Sequence, residues 1–321
     1  MGSQDQMEKI TQGIRSVLQD MIFSHFNRLL IVFLAGSAIA CAACTRSSVS
    51  VDRIETEVAS FTPQSTFEAT DVSSIAPFSG FYAVVWVTPD QPLIARNPAG
   101  LSGAAVGELA YGQRELELTG ASTRLGSSNW VEIMLPSGGA GWVNSWNITE
   151  DVSSQDFCND PRILQLIDTF SQAVGERSGQ GLVEVSNPER GLILRHNWWN
   201  PEIIFPVDSL MNIYQDLTEI DWGVQSGSEF PIQGSFQDII APQLEDVLGN
   251  SPELNCNSIQ TGNTTREIVW PDEYLNINFY SVYRPVPDGG SDFDWGTWVL
   301  GFEYIDGQPY LTLLIHYRGE I

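Results

Sequence analysis

The chain has 321 residues, with 15 Lys and Arg against 40 Asp and Glu, so its formal charge is −25 at pH 7. Such a field repels a phosphate backbone, which excludes nucleic acid as a partner. A hydrophobic content of 42% with ten Trp suffices for packed cores and excludes wholesale disorder, and the length admits two domains.

In chain order, the first feature is the uncharged run LLIVFLAGSAIACAA, residues 29–43, apolar at first and small-residue-rich afterwards. A helix crossing a bilayer needs about 20 apolar residues, so this shorter run reads as an export signal. With small residues ahead of Cys41 and Cys44, residues 1–44 resemble a bacterial lipoprotein signal region ending in a lipobox. In that family the cysteine becomes the lipidated N-terminus once the leader is removed. Ser37-Ala38-Ile39-Ala40 favours Cys41 by spacing. Parity favours Cys44, because cleavage there discards Cys41 and leaves one even pair, Cys158 and Cys256. Either is the expected lipidation site. The first twenty residues are mixed in charge, and Met21 is the more economical start. The resemblance implies an extracytoplasmic protein, lipid-anchored to a cell membrane on its periplasmic or outward-facing side.

Residues 45–79 shift to Ser, Thr, Val, Glu and Asp and read as a solvated tether, with Phe78 packing onto the β-rich region beyond it. From 80 to 149 short β-type runs alternate with Gly and Pro: Tyr82–Val87, Val106–Leu109, Glu115–Thr119, Trp130–Met134 and Gly141–Val143. The ordered segments Ala95-Arg96-Asn97-Pro98, Val106-Gly107-Glu108-Leu109, Tyr111-Gly112-Gln113, Asn129-Trp130-Val131-Glu132-Ile133 and Gly141-Trp142-Val143 resemble a bacterial SH3 domain. That likeness implies a small all-β barrel, departing from the family pattern at Ala95 and in an insert at Ser122–Ser128.

A polar link, Glu150–Gln155, leads to a second region, 156–321. Ile163, Leu164, Leu166, Ile167, Phe170, Ala173 and Val174 recur at helical spacing behind Asp160-Pro161, predicting a helix over Pro161–Gly175. Ile239, Ile240, Leu244, Val247 and Leu248 predict a second helical stretch broken near Pro242. Strands are expected at Leu192–Leu194, Ile268–Trp270, Tyr274–Tyr283, Trp298–Tyr304 and Tyr310–Tyr317, with Asp306-Gly307 as a hairpin turn. The whole is therefore expected to be multidomain: an SH3-like barrel, then an α+β domain with helices packed on a curved antiparallel sheet. The tail from Asp294-Trp295 to Ile321 is loosely similar to the ends of uncharacterised bacterial lipoprotein domains, which implies no activity.

Candidate chemistry is sparse. Cys158 near a helix start and His316 on a strand suggest a cysteine peptidase, but Asp156 and Asp160 flank the thiol and disfavour a thiolate. A disulfide between Cys158 and Cys256 is expected instead. His196 and His316 lack metal-ligand spacing and read as sheet residues, while Asp288, Asp292 and Asp294 in DGGSDFD miss the calcium-loop pattern and read as a solvated turn. Trp130 and Trp142 read as packing residues. The ligand-binding candidates are Tyr111, Trp146, Trp198 and Trp199, whose rings suit sugars or apolar partners. No catalytic set, metal or cofactor is called for. The expected function is a non-catalytic binding protein, held to the membrane by its N-terminal lipid, whose SH3-like module contacts peptidoglycan or an envelope protein. The alternatives are an envelope enzyme with a carboxylate site drawn from Glu202, Asp272, Glu273 and Glu303, or an envelope scaffold.

Overall fold

The computed structural model describes residues 80–319; the leader with Cys41 and Cys44, the tether with Phe78 and the last two residues lie outside them. The first strands are β1 (Tyr82–Val84), β2 (Leu93–Asn97), β3 (Ala104–Leu109), β4 (Leu118–Leu125), β5 (Ser128–Met134), β6 (Ala140–Asn144) and β7 (Ile148–Glu150). They make an open five-stranded sheet, β3-β2-β6-β5-β4, and a ribbon of β1 with β7, not a barrel closed by hydrogen bonds. Alternation along the strands turns Leu93, Ala95, Leu109, Ile133 and Val143 inward. The expected strand at Tyr82–Val87 stops at Val84, because Trp86 adopts a left-handed φ of 53°. Glu115, with φ of 60°, likewise delays β4, and most of the supposed insert after Ser122 is strand.

The polar link expected over Glu150–Gln155 is exposed at Ser153, Ser154 and Gln155 and buried at its start. Glu150 and Asp151 are buried, Glu150 Oε2 accepting from Gly307 N–H at 3.0 Å and Asp151 from Arg114 Nε at 2.8 Å. Helices α1 (Ser154–Asn159), α2 (Pro161–Gly175) and α3 (Gly179–Val185) come next. The predicted bounds of α2 hold: the Asp160 carboxylate accepts from Arg162 N–H, Pro161 opens the first turn, and Ile163, Ile167, Phe170 and Val174 form the buried stripe. Beyond them lie β8 (Leu192–Arg195), β9 (Ile203–Phe205), α4 (Val207–Leu210), β10 (Ile220–Val224), β11 (Pro231–Gly234), α5 (Phe236–Ile239) and α6 (Ala241–Leu248). The break between α5 and α6 comes just ahead of Pro242, which is tolerated in a first turn.

The chain closes with β12 (Glu253–Cys256), β13 (Asn278–Arg284), β14 (Gly296–Ile305) and β15 (Gln308–Arg318). The central sheet runs β12-β13-β14-β15-β8-β9. Its pairs are antiparallel except β15 with β8, so the expected antiparallel sheet is mixed. Asp306 and Gly307, both at positive φ, make the two-residue turn from β14 to β15. Ile268–Trp270 is irregular, not a strand, and Tyr274 sits in a 3-10 turn ahead of β13.

Helices α1, α2, α3 and α6 cover one face of this sheet with Phe157, Ile163, Phe170, Leu182 and Leu244. Val85, Trp86, Trp146, Tyr274 and Trp295 cover the other. Covering both faces explains why β14 and β15 are nearly continuous buried runs. The described residues lie in one compact unit, Ala69–Ile321. Arg190 ties the first strands to the central sheet, donating to Trp146 O (2.6 Å) and Ile148 O (2.9 Å) while its Nε lies 2.8 Å from Glu303 Oε2.

Candidate functional site

Three neighbouring strands place Arg284, Gly296 and Arg318 side by side, Gly296 on β14 being the register partner of both arginines. Residues two positions inward share their face, so Val282, Trp298 and His316 form the next row. Gly296 brings α6 close: a Cβ there would lie 2.9 Å from Val247 Cγ2. Gln243 and Asp246 descend from α6, and Ser291, Phe293, Asp294 and Trp295 arrive from the connection between β13 and β14. Together with Arg284, Gly296, His316 and Arg318 they line a half-open cavity of about 410 Å3. Trp295 anchors that connection, donating from Nε1 to Asn263 O at 2.7 Å.

The electrostatics are uneven. Arg284 Nε lies 2.8 Å from Asp246 Oδ2, a charge contact without hydrogen-bond alignment, and its NH2 lies 3.6 Å from Asp294 Oδ1. Arg284 NH1 donates to Asp294 O at 3.0 Å. Arg318 is exposed and has no ion pair among the described residues. His316 is 5% exposed, stacks on Trp298 at 4.7 Å and lies edge-on to His196 at 6.0 Å. Its Nδ1 has no hydrogen-bond partner among the described residues, nor has Gln243 Oε1. Gln243 Nε2 lies 3.0 Å from His196 Nε2. Burial, reinforced by His196, Arg318 and Arg284, holds His316 well below the usual histidine range, and burial with Arg318 brings His196 down to about 4. Both rings are therefore neutral at pH 7.

A general base of the serine- or cysteine-hydrolase type is supported by a carboxylate behind its imidazole. The charged groups that bear on His316 are arginines, which suit it to hydrogen bonding a ligand rather than to taking a proton. Cys158 is bonded to Cys256, as expected, with Cα atoms 5.8 Å apart, so it is no thiol nucleophile. Glu202 and Glu273 do converge, but on Arg195: its NH2 is 2.5 Å from Glu273 Oε1 and 3.4 Å from Glu202 Oε1. A guanidinium fills the space that a water and a glycosidic oxygen would need. Glu303 belongs to the Arg190 pair and Asp272 to a 3-10 turn.

The four aromatic candidates are not brought to one place. Tyr111 is exposed on the turn after β3. Trp146 is half-buried over the Arg190 guanidinium at 4.8 Å and borders a cleft of about 340 Å3 with Asn129 and Asn144. Trp198 and Trp199 are half-buried and edge-on to each other at 5.5 Å, with the Arg266 guanidinium 5.0 Å from the Trp199 ring centroid. Gln243, Asp246, Arg284 and Arg318 escaped sequence reasoning. DGGSDFD is a solvated turn as expected, with Asp288, Asp292 and Asp294 exposed, and Asp294 also borders the cavity. Among the described residues no group of three His, Cys, Asp or Glu could hold a metal, and no helix is long and apolar enough to cross a membrane. The chain matches no protein-family model, no curated protein and no solved structure.

Proposed function

We propose that the protein is an exported, lipid-anchored, non-catalytic binding protein of the cell envelope. It takes a small ligand in the cavity beside Arg318 and His316. Its first strands, which resemble a bacterial SH3 module, contact the wall or an envelope protein. The observation that carries the reading is the cavity itself, lined by buried His316 and by Arg318, a guanidinium with no ion pair among the described residues. The Cys158–Cys256 disulfide supports export, since such bonds persist in oxidising compartments. The run 29–43 before Cys41 and Cys44 supports lipidation.

Mass spectrometry of the membrane-extracted protein tests the anchor: a diacylglyceryl adduct on Cys41 or Cys44 is expected. Recovery in the cytosol with Cys158 and Cys256 reduced refutes the reading. Cosedimentation with isolated sacculi tests the wall contact, with Tyr111→Ala expected to weaken it.

A further inference from the structure

We infer that the cavity beside Arg318 recognises a zwitterion, a free amino acid or a peptide end that presents one carboxylate and one ammonium group. The inference rests on reading the cavity as a ligand site and adds the class of ligand.

The charge inventory is decisive. Arg284 is shared by two carboxylates, Asp246 and Asp294, so this side of the cavity carries one excess negative charge. Those carboxylates are half-exposed, with lone pairs left for a further donor. Arg318 has no counter-charge among the described residues, in a chain whose formal charge is −25. The register sets Arg318 and Arg284 two strands apart, with the bare Gly296 between them. The strand spacing is about 4.8 Å, so the backbones carrying the two charges stand roughly 10 Å apart.

A ligand bearing only a carboxylate satisfies Arg318 and meets repulsion from the Asp pair. A ligand bearing only an ammonium meets the reverse, and a phosphate dianion faces two carboxylates for one free guanidinium. A zwitterion satisfies both ends: the planar fork of Arg318 pairs with its carboxylate and the Asp pair receives its ammonium. A volume of about 410 Å3 admits an amino acid or a short peptide.

Isothermal titration of the detergent-solubilised full chain at pH 7 tests this, with L-phenylalanine, D-alanyl-D-alanine, phenylacetate, phenethylamine and inorganic phosphate as probes. At least one zwitterion is expected to bind about tenfold or more tightly than each single-charge probe. The better of the two zwitterions distinguishes a free amino acid from a wall-peptide end. Arg318→Gln and Asp294→Asn are each expected to weaken that binding about tenfold or more, with near-UV circular dichroism unchanged. Arg318→Lys is expected to recover part of the loss. Phenylacetate or phosphate binding as tightly as the zwitterions overturns the inference while leaving a ligand cavity. Undiminished zwitterion binding by Arg318→Gln also overturns it. Binding of none of the probes overturns the inference alone when another small molecule is found to bind in the cavity, and the cavity's role as well when none does.

Discussion

Arg190 and Glu303 form an ion pair, Nε to Oε2 at 2.8 Å, with both side chains more than nine-tenths buried. The guanidinium also lies 4.5 Å from the Trp86 ring centroid and 4.8 Å from that of Trp146, and Asn187 Nδ2 donates to the same Glu303 oxygen at 3.3 Å. Removing one partner of such a pair leaves a buried charge uncompensated. Glu303→Ala is therefore expected to cost about 3–5 kcal/mol in urea unfolding. Arg190→Met with Glu303→Leu together should cost less than the sum of the single changes. Additive losses would show that the pair is not the coupling element.

The disulfide joins α1 to β12 across a sequence separation of 98 residues. Constraining a loop of that length restricts the unfolded chain, and loss of such a bond costs about 2–5 kcal/mol. Cys158→Ala with Cys256→Ala should lower stability by that amount. Adding reductant should destabilise the wild-type protein and leave the double variant unaffected.

Acid should weaken the fold through its histidines. His196 has a folded pKa lowered from 6.5 to about 4 by burial and Arg318, so between those values the unfolded chain binds a proton that the native state does not. The associated stability is complete above pH 6.5 and declines as pH falls toward 4, at up to about 1.4 kcal/mol per pH unit for one group. His316 acts in the same direction. Urea midpoints measured from pH 7 to pH 4 should fall, and His196→Gln should flatten the slope. An unchanged slope would remove His196 from the account.

Gly191, ahead of β8, combines φ of 74° with a backbone so close that a Cβ would lie 2.0 Å from Phe205 O. Left-handed backbone is strained for other residues, and here the neighbouring atom is a carbonyl that cannot rotate away. Gly191→Ala should cost about 1–3 kcal/mol or more in thermal or urea unfolding. Gly138→Ala, with φ of 90° but nothing within 4 Å, should cost less, since only the conformational strain remains.

Legibility varied with the range of the interactions. The bounds of α2 were readable because Asp160, Pro161 and the stripe from Ile163 to Val174 act within a few turns of one another. The strand at Tyr82–Val87 was overread because apolar character does not reveal the positive φ of Trp86. Ile268–Trp270 has strand composition but packs irregularly against the second core, where Trp270 stacks on Phe279 at 4.4 Å. The burial of Glu150 and Asp151 within the polar link was not readable because their partners, Gly307 and Arg114, lie 157 and 37 positions away.

The candidate site was the least legible part. Taken alone, Arg284 and Arg318 are ordinary strand-end arginines, and His316 is a histidine on an apolar strand. By itself the sequence determined the capped helix α2, the Asp306-Gly307 turn and the pairing of Cys158 with Cys256, where local geometry or the shortage of alternatives leaves little choice. The tertiary structure decided the parallel joint of β8 with β15 and the register that sets Gly296 between two arginines. It also decided the approach of α6 that roofs His316. Strand register depends on how distant faces pack, and a one-residue slip would turn every one of those side chains to the opposite face.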